Sequence, residues 1–286
     1  MIWIAFALTV WLPAEIAGLR VATAAVALAI AVFLRGERLP SDWRHWRMLG
    51  VIAVIGNCLP FFLISWGQQY LESGLAGILT ASTPLFVLIM AHFALDDERL
   101  GPRHMLAFAL GFAGIVVLLG PDSLAALGGS GTRLMSQFAI LGAAACYGSA
   151  TVFARKLPEA SAVVTAAGVM LAASLIMTPF IAEGAAAFGA DAAAFGADVW
   201  TAAAAIGFVG VLGTGIASII YFRLIAETGA RFTSLLNYLV PVWAVALGAV
   251  VLGEQLPVFA WLGLFLVLGG LIVIPKSGMI ARQNDG

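Results

Sequence analysis

Nine apolar segments, each close to the length of one membrane-spanning helix, occupy most of this sequence and limit what it can fold into. They lie at residues 14–34, 48–68, 73–95, 102–120, 136–154, 161–182, 199–222, 229–252 and 257–275. A helix needs about 20 apolar residues to cross roughly 30 Å of hydrocarbon, whereas a membrane strand alternates apolar and polar residues. These segments do not alternate in that way. We therefore predict an all-α integral membrane protein.

The composition agrees with a chain that exposes apolar surface to lipid. Apolar residues make up 62% of the 286 residues and charged residues 10%, against about 45–50% and about 25% in a typical soluble domain. The net charge is -1, without a run of like charges, so we expect no nucleic-acid partner. Cys58 and Cys146 lie singly in apolar segments, and we expect no metal site and no cofactor.

The distribution of basic residues indicates the orientation of the chain. Met1 to Trp11 is a tenth apolar segment of about half a span, which we interpret as a truncated first helix. With ten spans, twelve Lys and Arg side chains lie on one side and only Arg133 on the other, while Arg20 lies inside a span. The basic side is normally cytoplasmic, so we predict a multi-pass protein of the cell membrane with a cytoplasmic C-terminus.

A weak internal repeat relates the two halves of the chain at a spacing of about 156 residues. Glu72–Gly74 resembles Glu227–Gly229, and Pro84 corresponds to Pro241. Five segments separate each pair, and an odd number of crossings places the copies in opposite orientations. Inverted bundles of this kind alternate between outward-open and inward-open states around a central site. The predicted division is a first five-helix repeat at 1–120, a non-cytoplasmic connector at 121–135, a second five-helix repeat at 136–275 and a cytoplasmic tail at 276–286.

The longest predicted connection between two spans covers residues 183–198. It is rich in alanine and contains the sequence AAFGAD twice. We predict that it is a spacer outside the cytoplasm and not a folded domain.

Several motifs of this chain resemble those of the EamA-type drug/metabolite transporters. They are Pro13 to Arg20, SGLAGILTASTPLF at 73–86, GFAGIVVLL at 111–119, LGGLIVI at 268–274, and Glu98 and Glu254 after the fourth and ninth spans. The resemblance covers nearly the whole chain. It implies ten helices in two five-helix repeats with both termini in the cytoplasm, a bacterial inner membrane as the location, and a small solute as the partner. In that family the first helix lines the central cavity, whereas this sequence lacks most of that helix.

Arg20 is the one charged side chain that the sequence places well inside a span. A buried arginine is costly in lipid and therefore faces a water-filled cavity, an acidic partner or the membrane surface. Arg20 either forms a cationic wall that meets a carboxylate or phosphate group of the substrate, or pairs with Glu15 or Glu72 on the same side of the membrane.

Prolines and polar side chains near mid-span are the other candidates for a substrate cavity. Pro84 and Pro241 interrupt their helices and free backbone carbonyl groups. Hydroxyl, amide and aromatic groups can orient a solute without a fixed charge. The further cavity candidates are Asn57, Thr80, Thr83, Tyr147, Asn237, Tyr238 and Trp243. Packing and hydrogen bonds between helices explain the same residues without a substrate.

Energy coupling has few candidates in this sequence. No Asp or Glu lies at mid-span, where proton-coupled carriers commonly hold a carboxylate. Glu15 and Glu72 near the outer side are the coupling candidates, and substrate exchange and facilitated movement are the alternatives.

We interpret the chain as a secondary transporter, an exporter of a small metabolite, with an amino acid or organic anion favoured by Arg20. A lipophilic-drug exporter is the alternative within transport. A membrane-embedded enzyme or a non-transporting membrane subunit is the alternative from another class, but the sequence lacks HExxH, GxSxG and a glycine-rich phosphate loop. We expect no catalytic site. A monomer suffices because one chain supplies both repeats, and a homodimer is the other possibility.

Overall fold

A computed structural model of the chain describes residues 11–71, 73–95, 101–119, 127–129, 131–191, 197–239 and 258–273, and every regular element in these ranges is helical. Five helices are long and apolar enough to cross a membrane: Ala14–Leu34, Trp43–Ile64, Leu75–Ala94, Thr132–Ala154 and Ala203–Tyr238. Three shorter apolar helices are Pro102–Leu118, Ala162–Ile176 and Trp261–Gly270. The prediction of an all-helical membrane protein is confirmed for these ranges.

Two compact units divide the described residues, and each unit draws on both halves of the chain. The first unit contains the described residues of Met1–Ser65 and Lys156–Ala226. The second contains those of Trp66–Arg155 and Glu227–Gly286. Each unit therefore combines parts of both predicted repeats, so the packing units and the sequence repeats are different divisions of the chain.

Helix α1, Pro13–Leu34, organises the first unit, because four of the other elements of that unit pack against it. Pro13 occupies its first turn, where a missing N–H costs nothing, and the Glu15 carboxylate accepts the N–H of Leu12 at 2.8 Å. The elements of this unit are α1 Pro13–Leu34, α2 Trp43–Ala53, a π-helical segment Val54–Cys58, α3 Leu59–Gly67, α8 Ala162–Ile176, α9 Thr178–Asp191, α10 Ala197–Phe208, a second π-helical segment Val209–Ile216 and the start of α11 Ala217–Leu235.

The two π-helical segments begin about 155 residues apart, close to the spacing of the sequence repeat. A π turn holds more residues than an α turn, is rare, and occurs often at functional sites. Each segment here contains glycine, and each joins two α-helices of the first unit. The two halves of the chain thus carry the same unusual helix at corresponding positions.

The second unit is held together by close crossings of its helices. Its elements are α4 Ser73–Thr80, α5 Thr83–Ala94, α6 Pro102–Leu119, α7 Thr132–Ala154, a 3₁₀ turn Leu236–Tyr238 and α12 Val258–Val273. Helix α6 packs along α12, and α7 packs against α4 and α5. A Cβ atom at Gly114 would lie 2.8 Å from the carbonyl oxygen of Gly263, so α6 and α12 meet backbone to backbone. Small residues commonly allow such approaches in membranes.

The predicted span 73–95 consists of two helices. Helix α4 ends at Thr80 and α5 begins at Thr83, with Pro84 in the first turn of α5. The Ser82 hydroxyl donates to the carbonyl of Leu79 at 2.5 Å, which satisfies an acceptor at the end of α4. The predicted interruption at Pro84 is therefore confirmed, and a side-chain hydroxyl compensates for it.

Three helix boundaries differ from those of the predicted apolar segments. Helix α2 begins at Trp43 and not at residue 48, because Asp42 caps it by accepting the N–H groups of Arg44 and His45. The predicted spacer 183–198 is helical as far as Asp191, since its alanines favour a helix. The predicted loop at residues 223–228 lies within α11, and the backbone instead departs from the helix at Gly229.

Gly229 has φ 86° and ψ 170°, a conformation that only glycine adopts readily.

Of the predicted truncated helix, only Trp11 lies among the described residues, and it packs against Ile16 and Ile206.

Glu37 joins the α1–α2 turn to the start of α8. Its carboxylate accepts hydrogen bonds from Ser161, the capping residue of α8, and from Arg35 at 2.6 Å. The hydrogen bond from Ser161, and to a smaller extent the one from Arg35, lowers the pKa of Glu37 below its ordinary value of 4.5. A lowered pKa in the folded state stabilises the fold above pH 4.5, and this contribution is lost as the pH falls through the folded-state value.

We expect Glu37→Gln to lower the melting temperature at pH 7, because it removes the carboxylate charge. The decrease should be small, because the carboxylate is partly exposed. The difference from wild type should disappear as the pH falls below 4.5. Thermal unfolding in detergent between pH 7 and pH 3.5 measures it, with Glu183→Gln, at an exposed position of the same unit, as the control. A difference that stays constant over this range would contradict the assignment.

Candidate functional site

The Arg20 side chain stacks on an aromatic ring inside the first unit. Arg20 is half-buried on α1, and its guanidinium carbon lies 4.7 Å from the centroid of the Phe61 ring on α3. A cation over an aromatic face is stabilised by about 0.5–2 kcal/mol, more when water is excluded. Phe61 therefore provides a favourable surface for a charge at membrane depth.

The backbone of the same turn of α1 lies against the second π-helical segment. The Thr23 hydroxyl donates to the carbonyls of Leu19 and Arg20 at 3.0 Å each. A Cβ atom built on Gly210 would overlap that hydroxyl and lie 2.9 Å from the Arg20 carbonyl oxygen. Only glycine fits here. The turn that carries Arg20 thus contacts Phe61, just after the first π-helical segment, and Gly210 in the second.

Replacing Gly210 with alanine should destabilise the protein by about 1–3 kcal/mol, because the added methyl group overlaps Thr23 and approaches the Arg20 carbonyl. Gly207→Ala, one turn earlier, is the matched control. Its Cβ would meet nothing within 4 Å, so we expect no loss or a gain of up to about 1 kcal/mol. Thermal unfolding in detergent compares the two variants, and equal losses would contradict the proposed close approach.

Two other predicted site residues belong to the first unit. Asn57 is half-buried in the first π-helical segment, one turn before Phe61. Glu15 is buried, and its carboxylate caps α1 through the N–H of Leu12. Glu15 therefore already has a structural role. Glu72, the second coupling candidate, lies outside the described residues, as do Pro241 and Trp243.

The predicted threonines of the second unit donate to their own backbone. The Thr80 hydroxyl donates to the carbonyl of Ala76 at 2.8 Å, and the Thr83 hydroxyl to the carbonyl of Thr80 at 2.7 Å. Thr83 and Pro84 are buried, and Thr80 is half-buried. These hydroxyls donate to carbonyls around the break between α4 and α5. This structural role explains the two threonines without a substrate.

The predicted aromatic and amide candidates of the second unit have different surroundings. Tyr238 is 1% exposed and packs in an apolar cluster that includes Ala81 at the α4–α5 break. A Cβ atom at Gly111 would lie 2.5 Å from the Tyr238 ring. Asn237 is exposed, and Tyr147 is half-buried on α7. Tyr238 therefore lies in the core of this unit.

Sequence reasoning missed Phe61 as a partner of Arg20, and it did not distinguish Gly210 from the neighbouring Gly207 and Gly213. Phe61 lies one helical turn after Asn57, and this spacing could have indicated that the two residues follow one face of the helix. Only Gly210 of the three glycines closely approaches another helix within the described ranges. Those ranges also contain no group of three or more His, Cys, Asp or Glu side chains suited to a metal ion.

The chain matches a family model over most of its length. The EamA-like transporter family matches residues 1–120 and 134–275. A solved crystal structure superimposes with a TM-score of 0.74 at 22% sequence identity, covering 92% of this chain and 88% of the other. At this identity, the superposition shows a shared fold alone.

Curated relatives align with nearly all of the chain. "Uncharacterized transporter YoaV" of Bacillus subtilis (strain 168) is 24% identical over 264 residues, covering 91% of this chain and 86% of the relative. "Uncharacterized inner membrane transporter YedA" of Escherichia coli (strain K12) is 25% identical over 269 residues, covering 92% and 82%. "Probable terminal-alkyne amino-acid exporter" of Streptantibioticus cattleyicolor is 29% identical over 267 residues, covering 93% and 84%.

Because the family match covers most of the chain and these relatives are named as transporters, the chain belongs to the EamA-like transporter family and is a membrane transport protein, not an enzyme.

Proposed function

We propose that this protein is a secondary transporter that exports a small carboxylate-bearing metabolite, an amino acid or a related organic anion. The observation that carries the proposal is the position of Arg20, a half-buried guanidinium on a membrane helix, stacked on Phe61. A guanidinium has five N–H donors in a planar fork that matches the geometry of a carboxylate.

The surroundings of Arg20 also suit the side chain and the ammonium group of an amino acid. A carboxylate at the guanidinium would place the rest of the solute near the apolar Phe61 ring and the half-buried Asn57. An aromatic surface accepts an apolar side chain, and an amide can bond to an ammonium group. The relative named as a probable terminal-alkyne amino-acid exporter supports the same class of solute.

Alternating access between two inverted five-helix repeats is the mechanism we propose. The repeat spacing of about 156 residues and the two π-helical segments about 155 residues apart support a duplication at residues 1–120 and 136–275. On this proposal ten helices cross the membrane, and the C-terminus lies in the cytoplasm because the basic residues collect on that side. The relative named as an inner membrane transporter supports that location.

Substrate counterflow in proteoliposomes tests the proposal. Vesicles preloaded with one unlabelled solute of a panel are diluted into the same labelled solute, and protein-free vesicles provide the background. The panel contains neutral amino acids, small organic anions and lipophilic cations. We expect the carboxylate-bearing solutes to exchange and the cations to remain at background.

The panel distinguishes the proposal from the alternative within transport. Exchange of the lipophilic cations alone would overturn it in favour of a drug exporter. An amino acid and its amide, which lacks the carboxylate charge, form the sharpest pair in the panel. Equal exchange of these two solutes would also contradict carboxylate recognition by Arg20.

A further inference from the structure

The turn between α1 and α2 carries an excess of positive charge. Residues 35–47 contain four arginines and only two carboxylates. Both carboxylates already have partners, because Glu37 accepts hydrogen bonds from Arg35 and Ser161 and Asp42 accepts the N–H groups at the start of α2. The acids of this turn therefore have partners other than the side chains of Arg38, Arg44 and Arg47, and all three of these residues are exposed.

Local hydrogen bonds order this turn. The Trp46 indole N–H donates to the carbonyl of Pro40 at 2.7 Å, which fixes the turn to the first turn of α2. Arg38 precedes Pro40 by two residues, while Arg44 and Arg47 are one helical turn apart on α2. The hydrogen bond thus holds the segment bearing Arg38 at the end of α2 that bears the other two arginines.

The same helix also presents apolar surface along its length. Trp43 is 74% exposed, and Val51 is also exposed. Trp43, Arg47 and Val51 are spaced four residues apart and therefore follow one face of the helix. An arginine between an exposed indole and an exposed valine is typical of a face at the boundary between acyl chains and headgroups.

We propose that the basic turn, defined as Arg38, Trp43, Arg44 and Arg47, binds the phosphate of an anionic phospholipid in the cytoplasmic leaflet. Guanidinium groups bind phosphate oxygens in pairs, and an exposed indole lies favourably at headgroup depth. Charge complementarity favours an anionic over a zwitterionic lipid, because each basic side chain near an anionic leaflet gains about 1 kcal/mol. The proposal does not rest on the transported solute.

The test compares phosphatidylglycerol with phosphatidylcholine as ligands of the purified full-length protein. Melting temperatures are measured in mixed micelles as each lipid is titrated, which yields an apparent affinity. Wild type should bind phosphatidylglycerol more tightly. The double variant Arg44→Gln/Arg47→Gln should weaken that binding about thirty-fold. The single variant Arg38→Gln, at a position outside any helix, should weaken it about five-fold. Gel filtration confirms that the variants remain folded.

A double variant with the same change of charge is the matched control. Arg103→Gln/Lys156→Gln removes two exposed basic groups outside residues 35–47 and should weaken binding less than about three-fold. Equal weakening by both double variants, or equal affinity of wild type for the two lipids, would overturn the proposal. Equal protection by inorganic phosphate at the same concentration would also overturn it, because that result indicates a site for the free ion.

Discussion

Replacing Arg20 with alanine is expected to reduce counterflow of the carboxylate-bearing substrate by about 10- to 100-fold. The loss corresponds to a charge-assisted hydrogen bond at a site of low dielectric. Arg20→Lys should retain part of the activity, because an ammonium keeps the charge but not the planar fork. Phe61→Leu keeps the apolar bulk and removes the aromatic face under the guanidinium carbon, so we expect a smaller loss of about 2- to 5-fold.

The coupling between the two side chains is measurable. If Phe61 acts by supporting the guanidinium, its substitution should have less effect in the Arg20→Ala background than in wild type. Lys156→Gln is the control, because it removes an exposed basic side chain of the same unit and should transport normally. A folded Arg20→Ala protein with wild-type counterflow would show that Arg20 is structural and would remove the main support for an anionic substrate.

Gly263→Ala is expected to destabilise the protein by about 3 kcal/mol, the upper part of the range for overpacking. A Cβ atom at Gly263 would lie 2.6 Å from the amide nitrogen of Leu118 and 2.7 Å from the carbonyl oxygen of Gly114. These are backbone atoms of α6, and they cannot rotate away as a side chain does. The added methyl group must therefore separate α6 from α12, which pack along one another. Unfolding in detergent measures the loss.

The same helix supplies the control for this prediction. Gly269 lies on α12 six residues later, and a Cβ atom there would meet nothing within 4 Å. Gly269→Ala should remain within about 1 kcal/mol of wild type. Gly114→Ala, on the opposite side of the crossing, should be as damaging as Gly263→Ala. If Gly269→Ala and Gly263→Ala were equally destabilising, the loss would come from the helix backbone and not from the crossing.

The long apolar segments were a reliable guide to the helices, because a membrane span requires a length and a polarity that are visible in the sequence. The interruption at Pro84 was visible for a similar reason, since proline cannot continue a helix without losing a hydrogen bond. The π-helical segments were not visible. A π-helix differs from an α-helix in which backbone N–H and carbonyl groups are hydrogen-bonded, and not in composition. The sequence of Val209–Ile216 is therefore indistinguishable from that of an ordinary apolar span.

The sequence by itself determined that this protein is a helical membrane protein, placed one arginine within a span, and pointed to a transporter family. The tertiary structure alone decided which residues meet. Arg20 and Phe61 are separated by some forty residues, and Gly263 and Gly269 are chemically identical, yet only Gly263 touches a neighbouring backbone. The physical reason is that such contacts depend on the rotation of each helix about its own axis. Hydropathy does not specify that rotation, and the backbone packing of α6 on α12 and of Gly210 on α1 does.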